Sequence, residues 1–211
     1  MKRHSGGRFK GLLEHGYGTI YLDPPWRFTA YNKADAGNRA PPYPTMAMEE
    51  IAALPIVELA ARNCWLYCWT SGPYMQHTMD IMRGWGFRYS TQAFTWVKMK
   101  RSGEGFHKGL GMTTRKNTEI VLLGKLGSPP VVSRPDELLV TDADGDQVHE
   151  TATNYSPLRE HSRKPDDIRT RIEAMARGPR IELFARQCFP GWEAWGNETG
   201  KWAPLEEHHN G

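Results

Sequence analysis

The sequence lacks any uninterrupted apolar run near the ~18 residues that a membrane-spanning helix requires, and no apolar signal-peptide core follows Met1. It contains only three cysteines, and two of these, Cys64 and Cys68, lie within an aromatic run rather than in a metal-binding knuckle. Internal repeats and low-complexity tracts are also absent. These absences predict one compact, reduced, cytoplasmic unit without a membrane span.

The composition is that of a folded protein. Hydrophobic residues make up 39% of the 211 positions, aromatic residues 11% and charged residues 24%, whereas disordered chains have few aromatics and a high net charge. The length corresponds to about one domain. We predict a flexible basic N-terminal segment over residues 1–16, a single domain over 17–200 and a C-terminal tail over 201–211.

Charge is small in total but unevenly distributed. The net charge is +3, yet residues 98–116 carry six cations against the single acid Glu104, while residues 136–150 carry acids without a Lys or Arg between them. Clustered cations are typical of proteins that bind a polyanion such as nucleic acid. On charge alone, solvated loops explain the pattern equally well.

Alternating strand-like and helix-like segments predict an α/β fold with a mostly parallel, twisted sheet flanked by helices. Two long segments, 27–45 and 98–114, are predicted to be lid-like binding loops, and 136–150 a surface hairpin about an Asp-Gly turn rather than a calcium loop. The predicted strands are 19–22, 64–70, 87–97, 119–123, 181–184 and 192–195, and the predicted helices are 47–61 with an interruption near Pro55, 74–83 and 165–175.

The sharpest chemical signal is the turn Asp23-Pro24-Pro25-Trp26, which follows a short apolar strand. Two prolines end a strand, so Asp23 is expected at the carboxyl end, where ligands bind in open α/β sheets. An aromatic exocyclic amine is a poor nucleophile, and acceptors aimed at its hydrogens stabilise the charge that develops as it attacks. The Asp23 carboxylate and the Pro24 carbonyl, held rigidly by Pro25, are the predicted acceptors, and Trp26 is predicted to stack on the base.

These residues stand within a longer series of segments in a fixed order. After the Asp23 turn come Tyr43-Pro44-Thr45-Met46, Leu66 to Thr70, Trp85 to Lys98, His161 to Asp166, Arg180 to Arg186 and Trp195 to Glu198. The series resembles the N6-adenine methyltransferases related to the catalytic subunit of the eukaryotic messenger-RNA adenosine methylation complex, a family with small bacterial and phage DNA-adenine members. The resemblance covers roughly residues 19–198.

The resemblance implies a Rossmann-like methyltransferase fold with permuted order, the catalytic strand preceding the cofactor strand, and S-adenosylmethionine as cofactor. It implies that Asp23 also lies near the methionyl amine, that Lys164 contacts the methionine carboxylate and that Glu182 pairs with the ribose hydroxyls. From the residues alone, Lys164 as a surface cation and Glu182–Arg186 as a structural ion pair remain alternatives. The other cofactor-binding residues expected are Leu183, Arg186, Asn197 and Glu198.

Most methyltransferases with this type of sheet hold the cofactor on a Gly-rich turn, but here Phe184-Ala185-Arg186 occupies that position, as in the family. Arg115, Asn117 and Glu119 belong to a segment similar to one near the family's target base, and from the residues alone Asn117 could equally stabilise the turn into a strand. The cationic loop is predicted to hold the nucleic-acid backbone. The candidate substrate-binding residues are Tyr43, Lys98, Lys100, Arg101, Lys108, Arg115 and Asn117.

The predicted function is DNA adenine-N6 methylation, with the RNA reaction or a catalytically silent nucleic-acid-binding partner as alternatives. No metal is expected, because His149 and His161 lack partners at ligand spacing. A bacterial or phage origin is expected. The oligomeric state is left open between monomer and homodimer, and a separate recognition subunit is conceivable because the chain has little room for a recognition domain.

Overall fold

The structure is a computed structural model. It describes residues 1–27, 43–100, 105–109, 114–134, 140–141, 147–149, 154–157 and 163–202. Three α-helices and nine strands lie within these residues. The helices are α1 (Met48–Ala52), α2 (Met75–Gly84) and α3 (Asp167–Met175). The strands are β1 (Tyr17–Leu22), β2 (Ala60–Thr70), β3 (Arg88–Met99), β4 (Thr118–Leu126), β5 (Val140–Thr141), β6 (Gln147–His149), β7 (Asn154–Pro157), β8 (Arg180–Leu183) and β9 (Glu193–Trp195).

The strands form one sheet in the order β6-β5-β7-β3-β4-β2-β1-β8-β9. β1 lies between β2 and β8 and runs parallel to both, with Leu22 opposite Cys68 on one side and Leu183 on the other. β9 continues the parallel arrangement beyond β8. The first strand of the chain therefore neighbours the eighth, and this confirms the permuted order.

The sheet is mixed, with β4 running antiparallel to both β2 and β3. Five of the eight strand pairings are parallel and three are antiparallel. The antiparallel orientation of β4 brings its first residues to the edge at which β1, β2 and β8 end, because Thr70 pairs with Ile120. This reversal decides which side chains meet at the site.

Alternating side chains of the strands separate the core into two layers. Ile20 and Leu22 of β1 pack with one buried cluster, which includes Ile81 of α2, whereas Tyr21 packs on the opposite face with Ile172 of α3. The same period-two alternation runs along β2, as expected for a sheet covered on both faces. The result is a helix–sheet–helix arrangement around a central β1.

The prediction of helix 47–61 is too long. Helix α1 ends at Ala52, a 3₁₀ turn covers Ile56–Glu58, and β2 already begins at Ala60. Pro55 separates the two helical pieces, because it has no amide hydrogen to donate and restricts the residue before it. The other two helices and the six predicted strands are confirmed within a few residues, and the short β7 was not predicted.

Much of the proposed lids and hairpin lies outside the described residues, namely 28–42 of the first loop, 101–104 and 110–113 of the second, and 135–139, 142–146 and 150 of the acidic segment. Within the acidic segment, β5 and β6 pair antiparallel, as expected for a hairpin. Residues 203–211 of the tail also lie outside. No helix in the described part of the chain is long and apolar enough to cross a membrane.

Residues 1–16, for which flexibility is predicted, fold back onto the end of the sheet. Arg3 and Leu13 form an antiparallel bridge, so we call residues 1–16 the N-terminal hairpin. Phe9 and Leu13 are buried in the main core, and Arg3 donates two hydrogen bonds of 2.9 and 3.0 Å to the Glu193 carboxylate at the start of β9. The prediction of flexibility was based on the glycines and cations of the segment. Burial of the apolar side chains of Phe9 and Leu13 offsets the conformational entropy that is lost when the segment becomes ordered.

The N-terminal hairpin generates a stability prediction. Phe9→Ala is expected to lower the free energy of unfolding by about 3 kcal/mol, the usual cost of truncating a buried aromatic ring. Urea denaturation followed by circular dichroism measures this change. Phe106→Ala is the matched control, because the Phe106 side chain is exposed and its loss should cost little. Equal midpoints for Phe9→Ala and the unsubstituted protein would show that the segment does not contribute to the fold.

Candidate active site

The carboxyl edge of the sheet brings together residues that are far apart in sequence. Asp23 follows β1, Trp69 and Thr70 end β2, and Phe184 follows β8. Glu119 reaches the same edge because β4 starts there, and Lys98 reaches it because β3 runs antiparallel to β4 and ends there. Ligands of open α/β sheets bind at this edge.

The Asp23-Pro24-Pro25-Trp26 turn is fixed by backbone hydrogen bonds. The Trp26 N–H donates to the Pro24 carbonyl at 2.8 Å, and the Met46 N–H donates to the Pro25 carbonyl at 2.9 Å. A carbonyl oxygen has two lone pairs, so Pro24 keeps one acceptor position after the bond from Trp26. The turn is thus rigid, as the sequence predicts.

Trp26 is held between the core and the edge of the sheet. Its indole is buried and stacks on Tyr74, with ring centroids 5.7 Å apart and planes inclined by 8°. One face of the ring is therefore covered by Tyr74, and Trp26 also lines a recess at the edge of the sheet. The stacking of a base on Trp26 stays a prediction.

A chain of alternating charges runs along the edge. The Lys164 ammonium lies 2.8 Å from the Asp23 carboxylate and 3.1 Å from that of Glu119, and Glu119 also pairs with Lys98. The side chains are largely enclosed, with Lys164 only 12% exposed and Glu119 22% exposed. Lys164 is therefore not the surface cation that the sequence left open as an alternative.

These ion pairs shift the protonation equilibria of the site. Burial alone would lower the pKa of Lys164, but attraction by Asp23 and Glu119 outweighs it and raises that pKa above its ordinary value. Burial alone would raise the pKa of Glu119, but Lys164 and Lys98 lower it to about 2. Lys164 thus stays charged at neutral pH, and Glu119 is an anion.

Three recesses meet at Asp23 and Arg186, which line all of them. The largest, with a volume of about 550 Å³, extends from Asp23 along the ends of β8 and β9 to Asn197 and Glu198. We call it the main cavity. Its size is within the range of small-molecule sites, which is about 300–1,000 Å³. A second recess, of about 70 Å³, lies towards β2 and β4, between Trp26, Trp69 and Glu119.

The third recess contains Glu182, whose carboxylate is held by Arg169. The Arg169 guanidinium donates two hydrogen bonds to it, at 2.7 and 2.8 Å, and both side chains are buried. Burial raises the pKa of Glu182, and Arg169 opposes that change. The sequence left open an ion pair between Glu182 and Arg186. Glu182 does form an ion pair, but with Arg169, and Arg186 pairs with Glu198 at 3.4 Å.

The turn after β8 has an unusual backbone. Phe184 adopts a positive φ of 59°, and the Ala185 N–H donates to the Trp195 carbonyl at 3.0 Å. A Cβ on Gly196 would lie 2.6 Å from the Ala185 carbonyl oxygen. The close backbone approach that a Gly-rich turn normally allows is therefore provided from the neighbouring strand end, by Gly196.

The remaining predicted residues separate into two groups. Tyr43, Asn197 and Glu198 line the main cavity, and the Arg186 guanidinium lies 4.2 Å from the centre of the Tyr43 ring. Leu183 was predicted to bind cofactor, but its side chain is fully buried in the core and lines none of the three recesses.

The cationic loop residues lie apart from the recesses. Lys100, Lys108 and Arg115 are exposed, whereas the Asn117 carbonyl accepts a hydrogen bond from the Lys98 N–H at the end of β3. Arg101 lies outside the described residues. None of the described loop cations lines the three recesses, so their proposed contact with nucleic acid is at the protein surface.

Sequence reasoning missed Arg169 and Tyr74 as parts of the site. Glu119 belongs to the segment similar to one near the family's target base, but its contact with Lys164 depends on the antiparallel direction of β4, which the sequence does not predict. Arg169 lies on α3 among other charged residues. In the described part of the chain, no group of three His, Cys, Asp or Glu side chains could hold a metal ion, and the absence of a metal stays a prediction.

A permuted, largely parallel sheet with a rigid acidic turn beside a cavity at its carboxyl edge is the architecture of a Rossmann-like methyltransferase. The MT-A70 family model matches residues 17–198, which extend from the start of β1 to Glu198 at the cavity. The chain belongs to the MT-A70 family.

Several curated proteins are similar to most of the chain. Type II methyltransferase M.MunI of Mycoplasma sp is 31% identical over 90% of this chain and 81% of its own. N(6)-adenine-specific methyltransferase METTL4 of Mus musculus is 27% identical over 90% of this chain, which spans 39% of that protein. A putative N(6)-adenosine-methyltransferase MT-A70-like of Medicago truncatula is 28% identical over 86% of this chain and 26% of its own. The chain is a methyltransferase of this family.

The lowered pKa of Glu119 generates a pH prediction. An acid whose folded pKa is about 2, against an ordinary 4.5, stabilises the fold above pH 4.5 and loses that contribution as the pH falls towards 2. Glu119→Gln is therefore expected to lower the free energy of unfolding at pH 6 by up to about 3 kcal/mol, with the difference from the unsubstituted protein shrinking by pH 3.

Urea titrations at the two pH values measure this difference. Glu49→Gln is the control, because Glu49 is an exposed carboxylate on α1, and it should produce no comparable change. A Glu119→Gln difference that is equal at pH 6 and pH 3 would contradict the assignment of Glu119 as a paired anion.

Proposed function

We propose that this protein transfers a methyl group from S-adenosylmethionine to the exocyclic N6 amine of adenine in DNA. Membership of the MT-A70 family supports a methyl-transfer reaction, and the names of the animal and plant relatives specify N(6)-adenine or N(6)-adenosine as their target. The chain spans 81% of the small Mycoplasma enzyme but 39% or less of these two longer eukaryotic relatives. The 31% identity to Type II methyltransferase M.MunI and the motifs shared with the small DNA-adenine members support DNA as the substrate.

The observation that carries the proposal is the position of Asp23. Its carboxylate lies where the main cavity meets the recess between Trp26, Trp69 and Glu119. A methyl donor in the main cavity and an adenine amine in the second recess would therefore both lie next to the Asp23 carboxylate. Asp23 and the free lone pair of the Pro24 carbonyl are two acceptors for the two amine hydrogens, and they stabilise the positive charge that develops on nitrogen.

The residues around the main cavity fit S-adenosylmethionine, which when bound supplies a methyl group on a positively charged sulfur. Asp23 attracts the cationic end of such a ligand, and Lys164 beside it attracts a carboxylate. Asn197 and Glu198 offer hydrogen-bonding groups along the rest of the cavity. Glu182 binds the ribose hydroxyls through lone pairs that the two bonds from Arg169 leave free.

The nucleic-acid substrate approaches from the side of β2 to β4. In duplex DNA the adenine must leave the base stack to reach an enclosed amine site. The exposed cations Lys100, Lys108 and Arg115 are positioned on this side of the sheet and neutralise phosphates. Binding of the backbone by these residues, together with Tyr43 and Asn117 nearer the base, completes the proposed substrate site.

The direct test is methyl transfer from labelled S-adenosylmethionine to matched DNA and RNA oligonucleotides, with the modified base identified by mass spectrometry. N6-methyladenine in DNA is the expected product. Modification of RNA alone would refute the DNA assignment and establish the RNA reaction. Absence of product in both, with nucleic-acid binding intact, would identify a catalytically silent partner.

Asp23→Asn is expected to reduce turnover by about 10²–10³-fold or more, the usual cost of removing a group that stabilises transition-state charge. The variant also loses one of the two carboxylates that stabilise the enclosed Lys164, so its unfolding midpoint is expected to fall, and activity is compared at a temperature at which circular dichroism shows both proteins folded. Asp80→Asn, an exposed carboxylate on α2 in an ion pair with Arg83, is the matched control. Retention of most of the activity by Asp23→Asn would show that the carboxylate is not essential.

Lys164→Ala is expected to weaken binding of S-adenosylhomocysteine by about 10- to 100-fold, because hydrogen bonds to charged groups contribute about 1.5–3 kcal/mol. Nucleic-acid affinity should change much less. Lys98→Ala is the matched control, since Lys98 contacts the same Glu119 but lies outside the recesses. Calorimetry that finds unchanged ligand affinity in a folded Lys164→Ala protein would dismiss the role of this lysine.

A further inference from the structure

The N-terminal hairpin lies outside the part of the chain that the family model matches, yet it forms one wall of the main cavity. The match begins at residue 17, whereas Arg8 is among the residues that line the cavity. A segment added before the first strand of the family domain therefore reaches the ligand site.

The hairpin is anchored to the cavity wall at three points. The Trp195 indole N–H donates to the Arg8 carbonyl at 3.1 Å, and the Phe9 ring packs edge-on against Trp195 with centroids 5.2 Å apart. Arg3 holds Glu193 with two hydrogen bonds. Trp195 itself lines the cavity and packs against Phe184. The backbone of Arg8 is thus fixed directly behind an aromatic wall of the site.

Arg8 is an exposed residue that lines the cavity, whereas the other cations near the site are paired. Lys164 pairs with Asp23, and Arg186 pairs with Glu198. Among the described residues, no ion pair of the Arg8 guanidinium is found. An exposed arginine at the cavity rim is long enough for its planar group to turn towards a ligand there.

The order of the strands determines which end of a ligand Arg8 meets. Moving outward from Asp23 at the end of β1, the cavity passes the end of β8 at Phe184 and then the end of β9 at Trp195. Arg8 lies at this outer end, against Trp195. The acceptor recess with Glu119 lies on the opposite side of Asp23, towards β2 and β4.

We propose that Arg8 is a cofactor-binding residue that contacts the nucleoside end of the methyl donor, and that the N-terminal hairpin is an added wall of the donor site. This assignment rests on the proposed function. A guanidinium plane stacks on aromatic faces and donates hydrogen bonds in its own plane, so it suits a purine ring. The donor's carboxylate is held by Lys164 at the other end and does not require Arg8.

The test compares two ligands that share the nucleoside end. S-adenosylhomocysteine carries the amino-acid end, and methylthioadenosine lacks it. Arg8→Ala is expected to weaken the binding of both by a similar factor of about 3- to 10-fold in calorimetry, as the loss of one cation–aromatic contact implies. Lys10→Ala, which removes another exposed cation of the same hairpin outside the cavity, is the matched control and should leave both affinities unchanged.

The outcomes separate this assignment from the proposed function. Unchanged affinities in Arg8→Ala would overturn it, and so would a loss for S-adenosylhomocysteine alone, which would place Arg8 at the amino-acid end. Unchanged ligand binding with weaker DNA binding would overturn it too and make Arg8 a phosphate contact. Failure of the unsubstituted protein to bind S-adenosylhomocysteine would instead remove the proposed function itself.

Discussion

The placement of Lys164 between Asp23 and Glu119 is the interaction on which the site depends. An ammonium group this enclosed is stable only because two carboxylates contact it, at 2.8 and 3.1 Å. Lys164 in turn fixes the direction of Asp23, and Glu119 also contacts Lys98, so two cations and two anions alternate along the edge. The four charges neutralise one another locally.

Two strand directions make that cluster possible. Parallel strands alone bring together the residues just after β1 and β8, namely Asp23 and the turn at Phe184. The antiparallel β4 adds the beginning of a strand to the same edge and thereby supplies Glu119. The main cavity on the β8–β9 side and the second recess on the β2–β4 side then share Asp23. This geometry sets the proposed direction of methyl transfer.

Residues from several other elements support the site. Arg169 on α3 holds the buried Glu182, and Gly196 allows the end of β9 to approach the turn after β8. Tyr74 packs on one face of Trp26 and holds that ring beside the turn. The N-terminal hairpin packs Phe9 against Trp195, which extends the wall of the cavity beyond the family domain.

The sequence by itself determined the α/β class, the end of β1 at Asp23 and the order of the motifs, because prolines, alternating apolar residues and short motifs act locally on the backbone. Only the tertiary structure decided the partners of buried charges. Glu182 pairs with Arg169 rather than Arg186, and Glu119 joins Lys164 across 45 residues of chain. Such pairings depend on strand direction and on which face of a helix meets the sheet. The spacing of residues along the chain predicts neither the strand direction nor the buried helix face. For the same reason, the burial of Phe9 could not be predicted from the glycines and cations around it.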